Sequence, residues 1–132
     1  MRKKLTDEWK ERGVKEGVGY AILTDEMTKA WSGMTVKEYK KLKGLKKENL
    51  RDNMTDIELV LNMLAEVTTT TLSKKEQPET FAENRSVAKR GGKFAGDTRK
   101  RFEEEIGGKV ISPLNASDKP ALEIKKDTDI DN

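Results

Sequence analysis

The chain has 132 residues, of which 39% are charged and 33% hydrophobic, and its net charge is +3. A soluble domain averages nearer ~25% charged residues, so the core must be thin, a composition suited to long helices or to a core completed by a second copy. Cysteine and histidine are both absent, which excludes disulfides, thiolate nucleophiles, zinc-thiolate sites and imidazole acid–base chemistry.

The N-terminus, MRKKLTDEWKERG, is basic and leads into no apolar run. No segment approaches the ~20 apolar residues of a membrane span, and the chain reads as a soluble protein of a reducing compartment. Thr6 suits an N-cap because acids follow it where the helix dipole favours them, which predicts a short helix over 7–12. Val14, Val18, Ala21, Ile22, Met27, Ala30 and Trp31 recur at helical spacing and predict a second over 14–31. Ser32 and Gly33 read as its stop. Thr35 with Glu38 three residues on is a capping-box pattern, opening a helix over 35–42 whose face is Val36, Tyr39 and Leu42. Gly44 closes it, and 45–53 reads as a second short helix or a turn.

Thr55 with Glu58 opens another capped helix over 55–67, with Ile57, Leu61 and Leu64, joined by Val60 and Val67, as its core stripe. The β-branched run 68–71 lowers helix propensity, so a fray or bend is expected there. After Pro78, residues 79–106 read as one long helix despite three glycines. Phe81, Ala88, Ala95 and Phe102 recur every seven residues, and Ala88, Gly92 and Gly96 sit four apart. Small residues so spaced make a groove that admits another helix closely. A second copy is the simplest occupant, so these six residues are the predicted self-association face of a homodimer. Gly107 and Gly108 end the helix, 109–112 reads as a lone β-like strand, and 113–132 as a disordered polar tail. The fold class is therefore all-α: a small helical domain over 1–112 with one long glycine-containing C-terminal helix, followed by the tail.

Charge is distributed unevenly. Residues 36–54 contribute +4 and residues 85–101 contribute +6, leaving −7 for the rest. Two basic patches are candidate polyanion sites, made of Lys40, Lys41, Lys43, Lys46 and Lys47 in the first and Arg85, Lys89, Arg90, Lys93, Arg99 and Arg101 in the second. A charge run on a helix is more often a solvated face than a nucleic-acid site. The stretch GGKFAGDT, 91–98, superficially follows P-loop spacing, but Asp97 stands where the loop needs lysine and a helical pattern precedes it. Nucleotide binding is rejected on that ground, and helix packing is the preferred account of the glycines. The acids Asp7, Glu8, Asp25, Glu26 and 103–105 read as charged helix faces or first-turn residues, with no spacing that singles out a metal or catalytic site. The reading is non-enzymatic, with no cofactor, no metal and no small-molecule substrate. Trp9, Trp31, Phe81, Phe94 and Phe102 are assigned to core or interface rather than to base stacking.

One resemblance runs through most of the chain. The segment GMTVKEYKKLKGLKKENLRDNMTDIELVLNMLAE, 33–66, resembles the C-terminal region of the bacterial DNA-damage-inducible protein D family. Similarity extends upstream through LTDEWKERGVKEGVGYAILTDEMTKAWSG and downstream in NRSVAKRGGKFAGDTRKRFEEEIGGKVIS, covering about residues 5–112. The resemblance implies a cytoplasmic bacterial protein tied to the DNA-damage (SOS) response or to prophage biology. Family members usually carry an upstream prophage-antirepressor (Bro-N) domain, thought to bind DNA, for which this chain has no room. The expectation is thus a regulatory or oligomerisation module acting by protein–protein binding, on itself and on a DNA-bound repair protein. The alternative is direct nucleic-acid binding through the two basic segments. The family offers no catalytic residues to carry over.

Overall fold

A computed structural model describes residues 1–114; of the tail expected over 113–132, only Pro113 and Leu114 fall within the described residues. Five helices occupy the described chain, and no strand is present among them: α1 (Arg2–Glu11), α2 (Val18–Ser32), α3 (Val36–Leu42), α4 (Asp56–Glu76) and α5 (Phe81–Ile106), with a 3-10 turn at Arg51–Asn53. The all-α expectation is correct, and α3 and α5 fall close to their predicted bounds.

Differences at the other helix ends have local causes. α1 begins at Arg2 because Thr6 is not a cap; its hydroxyl donates back to the carbonyls of Arg2 and Lys3, inside the helix. α2 starts four residues late, since Gly17 takes φ +78°, a conformation that breaks a helix and that glycine tolerates, while the Val14 N–H donates to the Trp9 carbonyl. α4 does not fray at the threonines. Thr70 and Thr71 return their hydroxyls to the carbonyls of Glu66 and Val67, both at 2.8 Å, and the helix runs on to Glu76. The stretch 109–112 is not a strand: Val110 is buried, and its N–H donates to Glu103 Oε2 at 3.0 Å.

The core lies between α2, α4 and α5, with α1 laid against α4. Leu5, Trp9, Leu23, Met27, Trp31, Tyr39, Leu61, Ala88 and Ala95 are its centre. The glycines of α5 are consumed here. A Cβ on Gly91 would overlap Thr69 of α4, one on Gly92 would overlap the Met27 carbonyl of α2, and one on Gly96 would lie 2.7 Å from the Ala30 oxygen. The predicted self-association groove is therefore filled by the chain's own helices. Ala88, Gly92, Ala95 and Gly96 are all buried, and Phe81 and Phe102 stand exposed at its two ends. Helix approach this close is what compensates the glycines' low helix propensity. On α4, Leu61 is buried and Ile57 and Leu64 are half-buried, but Val60 and Val67 face outward.

Candidate functional site

Three buried glutamates tie the segments of this thin-cored protein together. Glu8 of α1 accepts the Ser73 hydroxyl of α4 at 2.7 Å and lies 3.1 Å from Arg12; it is not part of a solvated face, as its neighbours in sequence suggested. Glu58 of α4 accepts Lys43 Nζ at 2.7 Å, the Thr55 N–H at 2.8 Å and the Tyr39 hydroxyl. Burial, reinforced by that hydrogen bond to Glu58, pushes the Tyr39 phenol well above its ordinary pKa. Glu66 accepts Arg51 Nη2 at 3.2 Å and Asn62 Nδ2 at 3.3 Å, and Asn62 Oδ1 in turn accepts Trp31 Nε1 at 3.3 Å.

Lys43 thereby leaves the list of candidate polyanion ligands. Its side chain is fully buried against Glu58, and Nζ also donates to the carbonyls of Ser112, at 3.0 Å, and Leu114. Arg99 leaves it as well, because Nε donates to the Trp31 carbonyl at 2.8 Å and Nη1 to Glu103 at 3.0 Å. Three further members of the α5 run are paired on the surface: Arg85 with Glu26, Arg90 with Glu76 at 2.8 Å through both guanidinium nitrogens, and Lys93 with Asp97 at 3.2 Å. The hydrogen bonds that Arg90 donates to Glu76 lower the Glu76 pKa and raise that of Arg90. Lys89 and Arg101 remain exposed on the helix.

Around α3 the arrangement is different. Lys37, Lys40, Lys41 and Lys46, with Arg2 and Leu45, line an open groove of about 670 Å³ whose wall is completed by α2. None of these four lysines forms an ion pair with another described residue. Three nearby acids, Asp25, Glu38 and Glu48, are held by backbone N–H groups. Asp25, on the groove wall, accepts the Val36 N–H at 3.0 Å. Glu38 accepts the Thr35 N–H at 2.8 Å in the α3 capping box. Glu48 accepts the N–H groups of Lys46 and Lys47, folding the loop that carries both lysines. Those backbone bonds lower the pKa of Glu38 and of Glu48, so both carboxylates stay ionised while the lysine heads stay unpaired. Lys47 is exposed beside the groove but does not line it.

Arg2 was not among the residues singled out in the sequence. Its guanidinium donates to Thr24 Oγ1 at 2.9 Å and lies 5.5 Å from the centroid of the Trp9 ring. Burial lowers its pKa, the Glu66 carboxylate opposes that shift and Arg51 adds to it; a guanidinium so placed is still charged near neutrality. Lys37 belongs to the groove too, and only its place in the basic run pointed to it. Beside the groove lies a smaller open cavity of about 200 Å³, which shares Arg2, Thr24, Val36 and Lys40 with it and is also lined by Asn62 and Glu66.

Among the described residues no three carboxylates converge to hold a metal ion, and no helix is long and apolar enough to cross a membrane. No model of a protein family matches the chain, and no curated protein or solved structure matches it.

Proposed function

We propose that the protein is a non-enzymatic nucleic-acid-binding module that holds a phosphate backbone in the groove beside α3. The observation that carries this reading is the cluster of four unpaired lysines around an open cavity, where the nearby acids Asp25, Glu38 and Glu48 are occupied by backbone N–H groups. Phosphates neutralised by such lysines release condensed counterions, so affinity falls with salt. A cellular role in the DNA-damage response or in prophage regulation, in the bacterial cytoplasm, follows from the resemblance of 33–66 to the DNA-damage-inducible protein D family. Fluorescence anisotropy of labelled DNA, titrated at several salt concentrations, tests the binding. Four contacts to a single strand predict a log–log slope of about −3. Absence of binding at low salt would return these lysines to an ordinary solvated face.

A second reading, self-association, is favoured by apolar side chains that face solvent on α4 and α5. Val60 and Val67 lie seven residues apart on one face of α4, and Phe94 on α5 is 57% exposed. A homodimer would use that outer surface, and sedimentation across a concentration series reads it directly. Changing Val60 and Phe94 to lysine then gives a monomer; a wild type monomeric throughout removes the reading.

A further inference from the structure

The chamber beside the cationic groove has a composition that phosphate binding does not require. Apolar Met27, Val36, Leu50 and Met54 line it together with polar Thr28, Asn49, Asn62, Arg51 and Glu66. Glu66 is 1% exposed. A carboxylate offers about four acceptor positions, and the side chains of Arg51 and Asn62 take only two of those on Glu66. Arg51 Nε, moreover, is buried without a hydrogen-bond partner. Glu66 thus keeps unused acceptor positions and Arg51 an unpaired donor, in two residues that line this space, and an unsatisfied buried polar group is costly. That space adjoins the lysine groove, with which it shares Arg2, Thr24, Val36 and Lys40.

We propose that this chamber receives an unpaired, amino-bearing nucleobase of a single strand whose phosphates lie along the groove. The inference rests on the phosphate-binding reading and deepens it from nucleic acid in general to single strands. A base in a duplex must first be unpaired and unstacked, at a cost in free energy, whereas one in a single strand is free to turn inward. Methionine and leucine walls suit a flat ring, methionine sulfur making favourable contacts with aromatic systems. The exocyclic amine of cytosine or adenine supplies N–H donors to Glu66, and the adjacent ring nitrogen accepts from the partly exposed Arg51 guanidinium. Thymine instead offers one N–H flanked by two carbonyls, which the carboxylate repels.

The test compares oligo-dC, oligo-dA, oligo-dT and a duplex of equal length, with 2-aminopurine placed in a single strand as a reporter of the base's surroundings. The expected result is roughly tenfold tighter binding of oligo-dC and oligo-dA than of duplex, weaker binding of oligo-dT, and a change in 2-aminopurine emission on binding. The Val36→Phe variant, which narrows the passage and leaves every lysine in place, loses the single-strand preference and retains salt-dependent binding. Glu66→Gln narrows the gap between oligo-dC and oligo-dT; should it fail to fold, the 2-aminopurine signal of the wild type decides alone. Equal binding of all four DNAs with a normal salt slope and unchanged emission overturns the chamber proposal and leaves the phosphate groove standing. No binding to any of them overturns both.

Discussion

The two basic segments of this protein look alike as sequence and differ as structure. The segment at 85–101 has the greater charge, +6 against +4 for 36–54, yet four of its cations are held in ion pairs. The poorer segment keeps all its lysines but Lys43 out of ion pairs among the described residues, and two of its acids, Glu38 and Glu48, are taken up by backbone N–H groups. α5 lies between α2 and α4, whose acids Glu26 and Glu76 meet its arginines, whereas α3 is a short helix at the edge with open space beside it. A charge run becomes a binding site only where the fold leaves it without opposite charges, and local net charge does not report that.

The comparison breaks most sharply at Lys43, which belongs to the freer run by sequence and to the core by position. Lys43→Ala leaves Glu58 buried without its cation, and breaking a buried pair in this way costs about 3–5 kcal/mol. Urea denaturation measures the loss, and DNA binding by the fraction that remains folded stays unchanged. A stable Lys43→Ala protein that no longer binds DNA would place Lys43 back in the groove.

On the other run, Gly92→Ala sharpens the contrast between a binding face and a packing face. The added methyl meets the Met27 carbonyl and the Ala30 side chain, and overpacking of that kind destabilises by about 1–3 kcal/mol. The loss appears in a monomer, because the neighbours are in the same chain. If Gly92→Ala instead left the melting temperature unchanged and altered only oligomeric state, the groove would belong to a second copy after all.

Charge reversal on each side measures the difference in binding. Lys37→Glu, Lys41→Glu and Lys46→Glu together abolish the salt-dependent affinity and hold the melting temperature within the scatter of surface substitutions. Arg85→Glu, Lys93→Glu and Arg101→Glu have the smaller effect on DNA. Equal losses from the two triple variants would mean that general positive charge, not the α3 groove, attracts the DNA.

Much of the fold was legible locally. The capping boxes at Thr35 and Thr55 stood in the sequence and form in the structure, since a cap needs only residues three apart. The extension of α4 through its threonines was not, because it depends on the packing of Thr69 against α5, where Gly91 makes room for it. Lys43 carried a partial signal: it falls on the same helical line as Val36 and Tyr39, the line that turns inward, whereas Leu42 turns out. What sequence spacing could not supply was Glu58, its partner fifteen positions on, whose burial makes the inward lysine tolerable. The groove was visible only as charge. Its cavity, and the contribution of Arg2 from the far N-terminus, arise from how α1, α2 and α3 converge.

The smallest expected effect concerns the acid side of the same contrast, at the start of α5. Glu83 accepts the N–H groups of Glu79 and Thr80, at 2.8 and 3.1 Å, as the reciprocal half of a capping box. Those backbone hydrogen bonds hold its pKa below the ordinary carboxylate value. A carboxylate depressed in the folded state contributes stability that is fully present above its unfolded pKa, near ~4.3, and is lost as pH falls through the folded value. Glu38 in the α3 cap behaves in the same sense, for the same reason. Glu83→Gln removes the titration while leaving an amide oxygen to accept the hydrogen bonds. Its stability at neutral pH is therefore slightly below wild type, and between about pH 5 and 3 its decline is shallower, so that the two curves converge in acid. Denaturation midpoints measured across that range decide the matter: parallel curves would show that the cap at α5 acts through geometry alone, with no contribution from the charge on Glu83.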